Sequence, residues 1–247
     1  MITLQHNTGP AVQEQAAWAG AQVFLLGVLS DTVGVGLLGW FVGITYAVAT
    51  WALLSNAMRR TGTLSLGPAD RVTLARAVLV GGVTALVADR AGEGGPTTII
   101  LTLAAIALAL DFVDGLVARR TGTASSLGAR FDMEVDAFLI LVLGVHVARA
   151  FGPWVLAIGA MRYLFVAASW ALRWLRATLP PSFGRKTVAA AQGVILVAAS
   201  SGLVPGAVFL LGLALAALLW SFGRDIAWLW RNAPVPVPVS LKGCRHV

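Results

Sequence analysis

From Gly34 to Leu54 the chain carries no charged side chain. At about 1.5 Å of helical rise per residue, a run of that length crosses the roughly 30 Å hydrocarbon core of a bilayer. Further apolar segments follow at 71–88, 97–110, 127–148, 154–175, 186–199 and 204–220. A shorter one, 16–29, comes first and is broken at Ser30-Asp31; it needs its neighbours to span, and a hairpin with 34–54 is expected. Only 12% of the residues are charged and 58% are hydrophobic, against about 25% charged in a soluble domain. A soluble core would also need polar outer faces on its helices, and most of these segments lack them. The reading is an all-α, polytopic transmembrane helix bundle.

The net charge of +7 invites a nucleic-acid reading. The basic residues sit between apolar segments, however, which is the pattern of headgroup contact and membrane orientation, so no nucleic-acid partner is expected. Alternating the spans collects Arg59, Arg60, Arg71, Arg119, Arg120, Arg130, Arg176, Arg185, Lys186, Arg224, Arg231, Lys242 and Arg245 on one side, with little beyond Arg90 and Arg149 on the other. Positive residues stay inside, so the basic side is read as cytoplasmic. The single cysteine, Cys244, excludes an intramolecular disulfide. Residues 1–15 are polar and hold no Lys or Arg, so a cleaved signal peptide is not expected. The Pro-rich end, 233–247, is read as a non-helical cytoplasmic tail.

Residues 111–136, on the cytoplasmic side of this scheme, read DFVDGLVARRTGTASSLGARFDMEVD. Asp111 and Asp114 are three apart, and Asp132 and Asp136 are four apart, so each pair shares a helix face. A helix-loop-helix brings the two pairs together. Four converging carboxylates repel one another unless a cation compensates them, and an all-oxygen donor set suits Mg²⁺, Mn²⁺ or Ca²⁺. Such ions serve phosphoryl chemistry. Gly115, Ala118 and Gly128 leave room for a ligand beside the helices, and Arg119 can donate to a phosphate.

This stretch resembles the signature of the CDP-alcohol phosphotransferase (phosphatidyltransferase) family, D-x2-D-G-x2-A-R-x8-G-x3-D-x3-D. Asp111, Asp114, Gly115, Ala118, Arg119, Gly128, Asp132 and Asp136 all match in register. The resemblance implies a six-helix catalytic core, here 61–232, preceded by one or two extra membrane helices in 1–60. It implies an integral membrane enzyme, commonly a homodimer, that needs one or two divalent ions, Mg²⁺ or Mn²⁺. It implies that Asp111, Asp114, Asp132 and Asp136 ligate the metal and that Asp136 is also the catalytic base. Asp111, Gly115, Ala118, Arg119 and Gly128 would bind the nucleotide. DRVTLARA is similar to the family's first core helix, where a Thr and an Arg open the span, and Thr73 joins the nucleotide set by that likeness. FGRKTVAAAQ is similar to a basic stretch opening the fifth core helix, although Gln192 lies five residues after Thr187 rather than three.

Arg162, about nine residues into its segment, is an intramembrane arginine and so an acceptor-site candidate. Arg185 and Lys186 are read either as acceptor-binding or as contacts to lipid phosphates. Glu134 is turned away from the aspartates and is read as a salt-bridge or solvent residue, and His146 as a helix-packing hydrogen bonder. The expected activity is a step of phospholipid biosynthesis at the plasma membrane: a phosphatidyl group moves from CDP-diacylglycerol to a small polar alcohol, such as an inositol or glycerol phosphate, and CMP leaves. The alternatives are transfer from a soluble CDP-alcohol to a lipid hydroxyl, and a non-catalytic membrane protein that binds metal and nucleotide.

Overall fold

A computed structural model describes residues 10–62, 66–89, 97–121, 125–177, 179–180 and 182–232, without the side chains of 10–12, 114, 116, 118, 119, 121 and 126. The expected tail, 233–247, lies outside these residues. The described chain is helical and has no strand among its described residues. Its α-helices are α1 (Pro10–Val33), α2 (Leu37–Thr61), α3 (Pro68–Asp89), α4 (Thr97–Thr121), α5 (Ser126–Phe151), α6 (Leu156–Ala171), α7 (Phe183–Ser200) and α8 (Ala207–Arg231). Five segments, lying in α1, α2, α3, α6 and α8, are long and apolar enough to cross a membrane. Phe24, Phe41, Leu53, Phe209, Leu213 and Trp220 stand exposed on them, as expected of side chains that face lipid rather than water.

The centre of the bundle is α3, which packs against α1, α2, α4 and α5. Most of its side chains are buried, including Val80, Val83, Leu86 and the polar Asp70, Thr73 and Arg76. Its start is closed by its own sequence. Asp70, at the third helical position, reaches back to accept from Gly67 N at 2.9 Å, satisfying an N–H that the first turn leaves orphaned.

The first two helices pack together across the short connection 34–36, and α1 is longer than the sequence indicates. Ser30 and Asp31 do not end it; the helix continues to Val33. Thr32 Oγ1 donates to Val28 O at 2.7 Å, and Ser30 Oγ donates to Val35 O at 3.3 Å. Their polar groups are thus absorbed by the helix end, while Asp31 is exposed.

The hairpin is tied to the core at the opposite end of α3. Gly36 precedes α2 without a side-chain cap of its own. The cap comes from Asp89, whose carboxylate accepts from Gly36 N at 3.0 Å and Gly39 N at 3.1 Å. A carboxylate there also meets the positive end of the α2 dipole. Gly39 is required for the approach, because a Cβ on it would come within 2.9 Å of Asp89 Cβ. Asp89→Ala is expected to destabilise the hairpin by about 1 kcal/mol, which is roughly 2–4 °C in the thermal midpoint of a protein this size. A thermal melt of purified protein, with an unchanged midpoint as the contrary result, checks this.

The later helices begin and end differently from the apolar segments. The segment expected to span 154–175 ends as α6 at Ala171 and gives way to a 3₁₀ turn, Arg173–Arg176. The following α7 starts at Phe183 rather than Lys186.

Candidate active site

The site is built where the first half of α3 meets the end of α4 and the start of α5. From Asp111 the helix α4 runs on to its end at Thr121, and α5 covers an equal stretch from its start at Ser126 to Asp136. Both helices pack on α3, and their matched offsets put the aspartates at one depth, about 15 Å from the helix ends. Ser125 fixes the start of α5, its hydroxyl accepting from Gly128 N at 2.8 Å.

One oxygen from each of Asp111, Asp132 and Asp136 lies within 4.8 Å of the other two. These carboxylates already face one cation. Arg76 of α3 places Nη1 at 2.9 Å from Asp111 Oδ1 and also pairs with Asp132 through Nη1 and with Asp136 through Nη2. Its Nε donates to Ala107 O at 3.2 Å, which fixes the plane of the guanidinium. Arg76 is 0% exposed, whereas the three aspartates are 31–34% exposed. The arginine therefore lies on the buried side of the cluster, and the carboxylates open on the other. A single guanidinium leaves three ionised carboxylates net negative. The all-oxygen donor set and the residual charge both fit a hard divalent ion.

The remaining site residues named from the sequence fall in three groups. Asp114, Ala118 and Arg119 lie on α4, but their side chains are outside the described ones. Gly115 is on the same helix. Gly128 is buried against the start of α3, and a Cβ there would collide with the carboxylate of Asp70 and come within 2.9 Å of Ser125 Oγ. Thr73 is buried one turn before Arg76, its hydroxyl donating to Ala69 O at 3.2 Å.

The basic candidates are more engaged than their sequence positions indicate. Arg162 pairs with Glu134, which lies between Asp132 and Asp136 on α5. That pair sets Arg162 at the depth of the aspartates and gives Glu134 the salt bridge anticipated for it. Arg185 Nη1 donates to Asp225 Oδ2 of α8 at 3.3 Å, and its Nη2 donates to Pro180 O. Lys186 is exposed. Gln192 is buried between α7 and α8, with Nε2 donating to Ala214 O at 3.0 Å. His146 does not behave as the hydrogen bonder expected of it, since its Nδ1 has no partner among the described residues.

Arg76 is the residue that sequence reasoning failed to place in the site. Its signals were its place in DRVTLARA, where a Thr and an Arg open the span, and the cost of an unpartnered charge so far into an apolar segment. The sequence does not say which partner it takes.

The described chain is a helical protein with several membrane-length segments, and its three converging carboxylates could hold a metal ion, the kind of site that phosphoryl chemistry uses. Residues 67–220 match the family described as CDP-alcohol phosphatidyltransferase. The match covers more than half of the chain, and the protein belongs to that family. No curated protein and no solved structure matches the chain at a significant level.

Proposed function

We propose that the protein transfers a phosphatidyl group from CDP-diacylglycerol to the hydroxyl of a small phosphorylated alcohol, with release of CMP. The observation that carries this reading is the convergence of Asp111, Asp132 and Asp136 inside the segment that matches the family. The catalytic core is taken as 61–232, with 1–60 an accessory hairpin and 233–247 a tail. The site is taken to face the cytoplasm at the plasma membrane, because with alternating helices Arg59, Arg60, Arg120 and Arg231 near the ends of α2, α4 and α8, Arg71 and Arg130 near the starts of α3 and α5, and Arg176 just after α6 fall on one side. The enzyme is taken to act as a homodimer.

Asp111, Asp114, Asp132 and Asp136 are assigned to hold one or two Mg²⁺ or Mn²⁺ ions. When bound, such an ion neutralises pyrophosphate oxygens and stabilises the departing CMP. Asp136 takes the proton of the acceptor hydroxyl. The hydroxyl oxygen forms a new bond to the phosphorus of the phosphatidyl group as the pyrophosphate P–O bond breaks, and CMP leaves with the electron pair. Gly115 and Ala118 are taken to leave the surface low where the nucleotide lies, with Arg119 beside them; Gly128, whose Cβ position the Asp70 carboxylate occupies, and the buried Thr73 are taken to support that surface from behind. Arg162, held by Glu134, is the acceptor-phosphate residue favoured by its depth. Arg185 is bound to Asp225, so with Lys186 it forms a second, outer candidate.

The test is CMP release by purified protein from CDP-diacylglycerol with glycerol phosphate, inositol phosphate and their unphosphorylated alcohols. Release only with a phosphorylated acceptor is the expected result. Transfer from CDP-choline or CDP-ethanolamine to diacylglycerol, without activity on CDP-diacylglycerol, would overturn the direction proposed. Binding of metal and CMP without turnover on any acceptor would overturn the enzyme reading.

Arg162→Gln is expected to raise the KM for a phosphorylated acceptor by roughly 10-fold or more, because a charge-assisted hydrogen bond is lost. The KM for CDP-diacylglycerol should stay within about twofold, since the two substrates are bound by different residues. Equal effects on both would remove Arg162 from the acceptor site.

A further inference from the structure

The cluster of Asp111, Asp132 and Asp136 holds a cation of its own, and that cation is part of the protein. Arg76 shares itself among all three carboxylates, and its Nε is anchored on the Ala107 carbonyl. It is fully buried and cannot swing out to water as a surface arginine does. A charge that deep remains charged and paired, because a guanidinium does not give up its proton. We propose that Arg76 is a resident counter-cation that opposes the divalent ion at the carboxylates they share, so that ion binding is coupled to the arrival of the anionic CDP-linked substrate. The inference rests on reading the aspartates as ion ligands.

Arg76 acts on the site in two opposed ways. Without it the carboxylates would converge at the inner end of a helical bundle with nothing to offset their repulsion. Arg76 therefore lets the site assemble before any ion or substrate is present. The same arginine makes the site less attractive to a second cation, since both positive charges are drawn to the same oxygens in a poorly screened region. A pyrophosphate reverses this balance. It brings negative charge to the open side of the aspartates and supplies further oxygen ligands, so ion and donor bind better together than either does alone. By linkage the gain is reciprocal: the ion tightens the nucleotide by the same factor that the nucleotide tightens the ion. An empty site that holds its ion weakly is also less prone to keep CMP once the transfer is complete.

The test measures Mn²⁺ binding directly, by electron paramagnetic resonance on the intact protein in detergent, with and without CDP. In the unsubstituted protein CDP is expected to tighten Mn²⁺ by about 10-fold or more, within the usual range of coupling between sites. In Arg76→Gln, Mn²⁺ alone is expected to bind at least about fivefold more tightly than in the unsubstituted protein, and the gain from CDP should shrink. The thermal midpoint of Arg76→Gln in EDTA should fall and be largely restored by Mn²⁺. A residue with a purely structural part would loosen Mn²⁺ when removed, so weaker or unchanged Mn²⁺ binding in Arg76→Gln overturns the proposal. If that variant does not fold, the unsubstituted protein still decides: Mn²⁺ affinity indifferent to CDP overturns the coupling, and Arg76→Lys, which keeps the charge without the three-way fork, should bind Mn²⁺ at an affinity no tighter than that of the unsubstituted protein. None of these readouts requires turnover. A protein that binds Mn²⁺ in this pattern yet releases no CMP would defeat the proposed activity and leave the part played by Arg76 intact.

Discussion

Asp136→Asn is expected to release CMP from CDP-diacylglycerol at least about 100-fold more slowly than the unsubstituted protein, the ordinary contribution of a positioned general base. The substitution is chosen for what it preserves. An asparagine has the shape of the aspartate, and its carbonyl oxygen can still accept the hydrogen bond that Arg76 Nη2 gives to Asp136 Oδ1. It cannot take a proton from a hydroxyl, and it brings one negative charge fewer to the ion. A base acts on the acceptor, so the loss should appear chiefly in kcat rather than in the KM for the CDP-linked donor. A melt of the variant separates this from unfolding: its midpoint should stay near that of the unsubstituted protein while its rate collapses. Equal rates of CMP release by the two proteins would remove Asp136 from the part assigned to it.

Gly159→Val is expected to cost about 3 kcal/mol, the upper part of the range for overpacking a close contact, and to take most of the activity with it. A Cβ built on Gly159 of α6 would lie 2.9 Å from Leu141 N and 3.1 Å from Ile140 O, both backbone atoms of α5. Backbone cannot rotate away as the end of a side chain can, so the helices must separate. Gly144 faces the same contact, a Cβ there lying 3.9 Å from Gly159 N, and a pair of small residues is how membrane helices approach closely. The separation would also part Arg162 from Glu134, which lies on α5 between two of the site aspartates. The thermal midpoint should drop by roughly 6–12 °C. Gly144→Ala is the control. Its Cβ would meet Val155 O at 3.8 Å, an ordinary contact, and its midpoint should hardly move. Similar behaviour of the two variants would mean that α5 and α6 do not depend on this approach.

Much of the molecule was legible in residue order because the physics involved is local. Helix-length apolar runs separated by polar breaks specify a membrane bundle, since lipid rewards that pattern and little else. Spacings of three and four put Asp111 with Asp114 and Asp132 with Asp136 on common faces, and the helix period makes that inference independent of the rest of the fold. Small residues at fixed intervals among those aspartates carried the resemblance that the family match over 67–220 bears out. The misjudged boundaries have local causes too. The reach of α1 through Ser30-Asp31 depends on Ser30 and Thr32 finding carbonyl acceptors near the helix end, and hydropathy does not register such bonds.

Pairing between helices was not legible. Asp89 at the end of α3 caps α2, Arg162 meets Glu134, Arg185 meets Asp225, and Arg76 meets three aspartates. Each of these unites residues distant in the chain, and a charged side chain in an apolar segment has no marked partner until the helices are placed. The sequence alone therefore determined a helical membrane protein with a carboxylate cluster of one family's spacing. Only the tertiary structure decided that the cluster is already partly neutralised from its buried side. Composition and period record how much charge a helix carries and on which face, but which opposite charge lies within reach is set by packing.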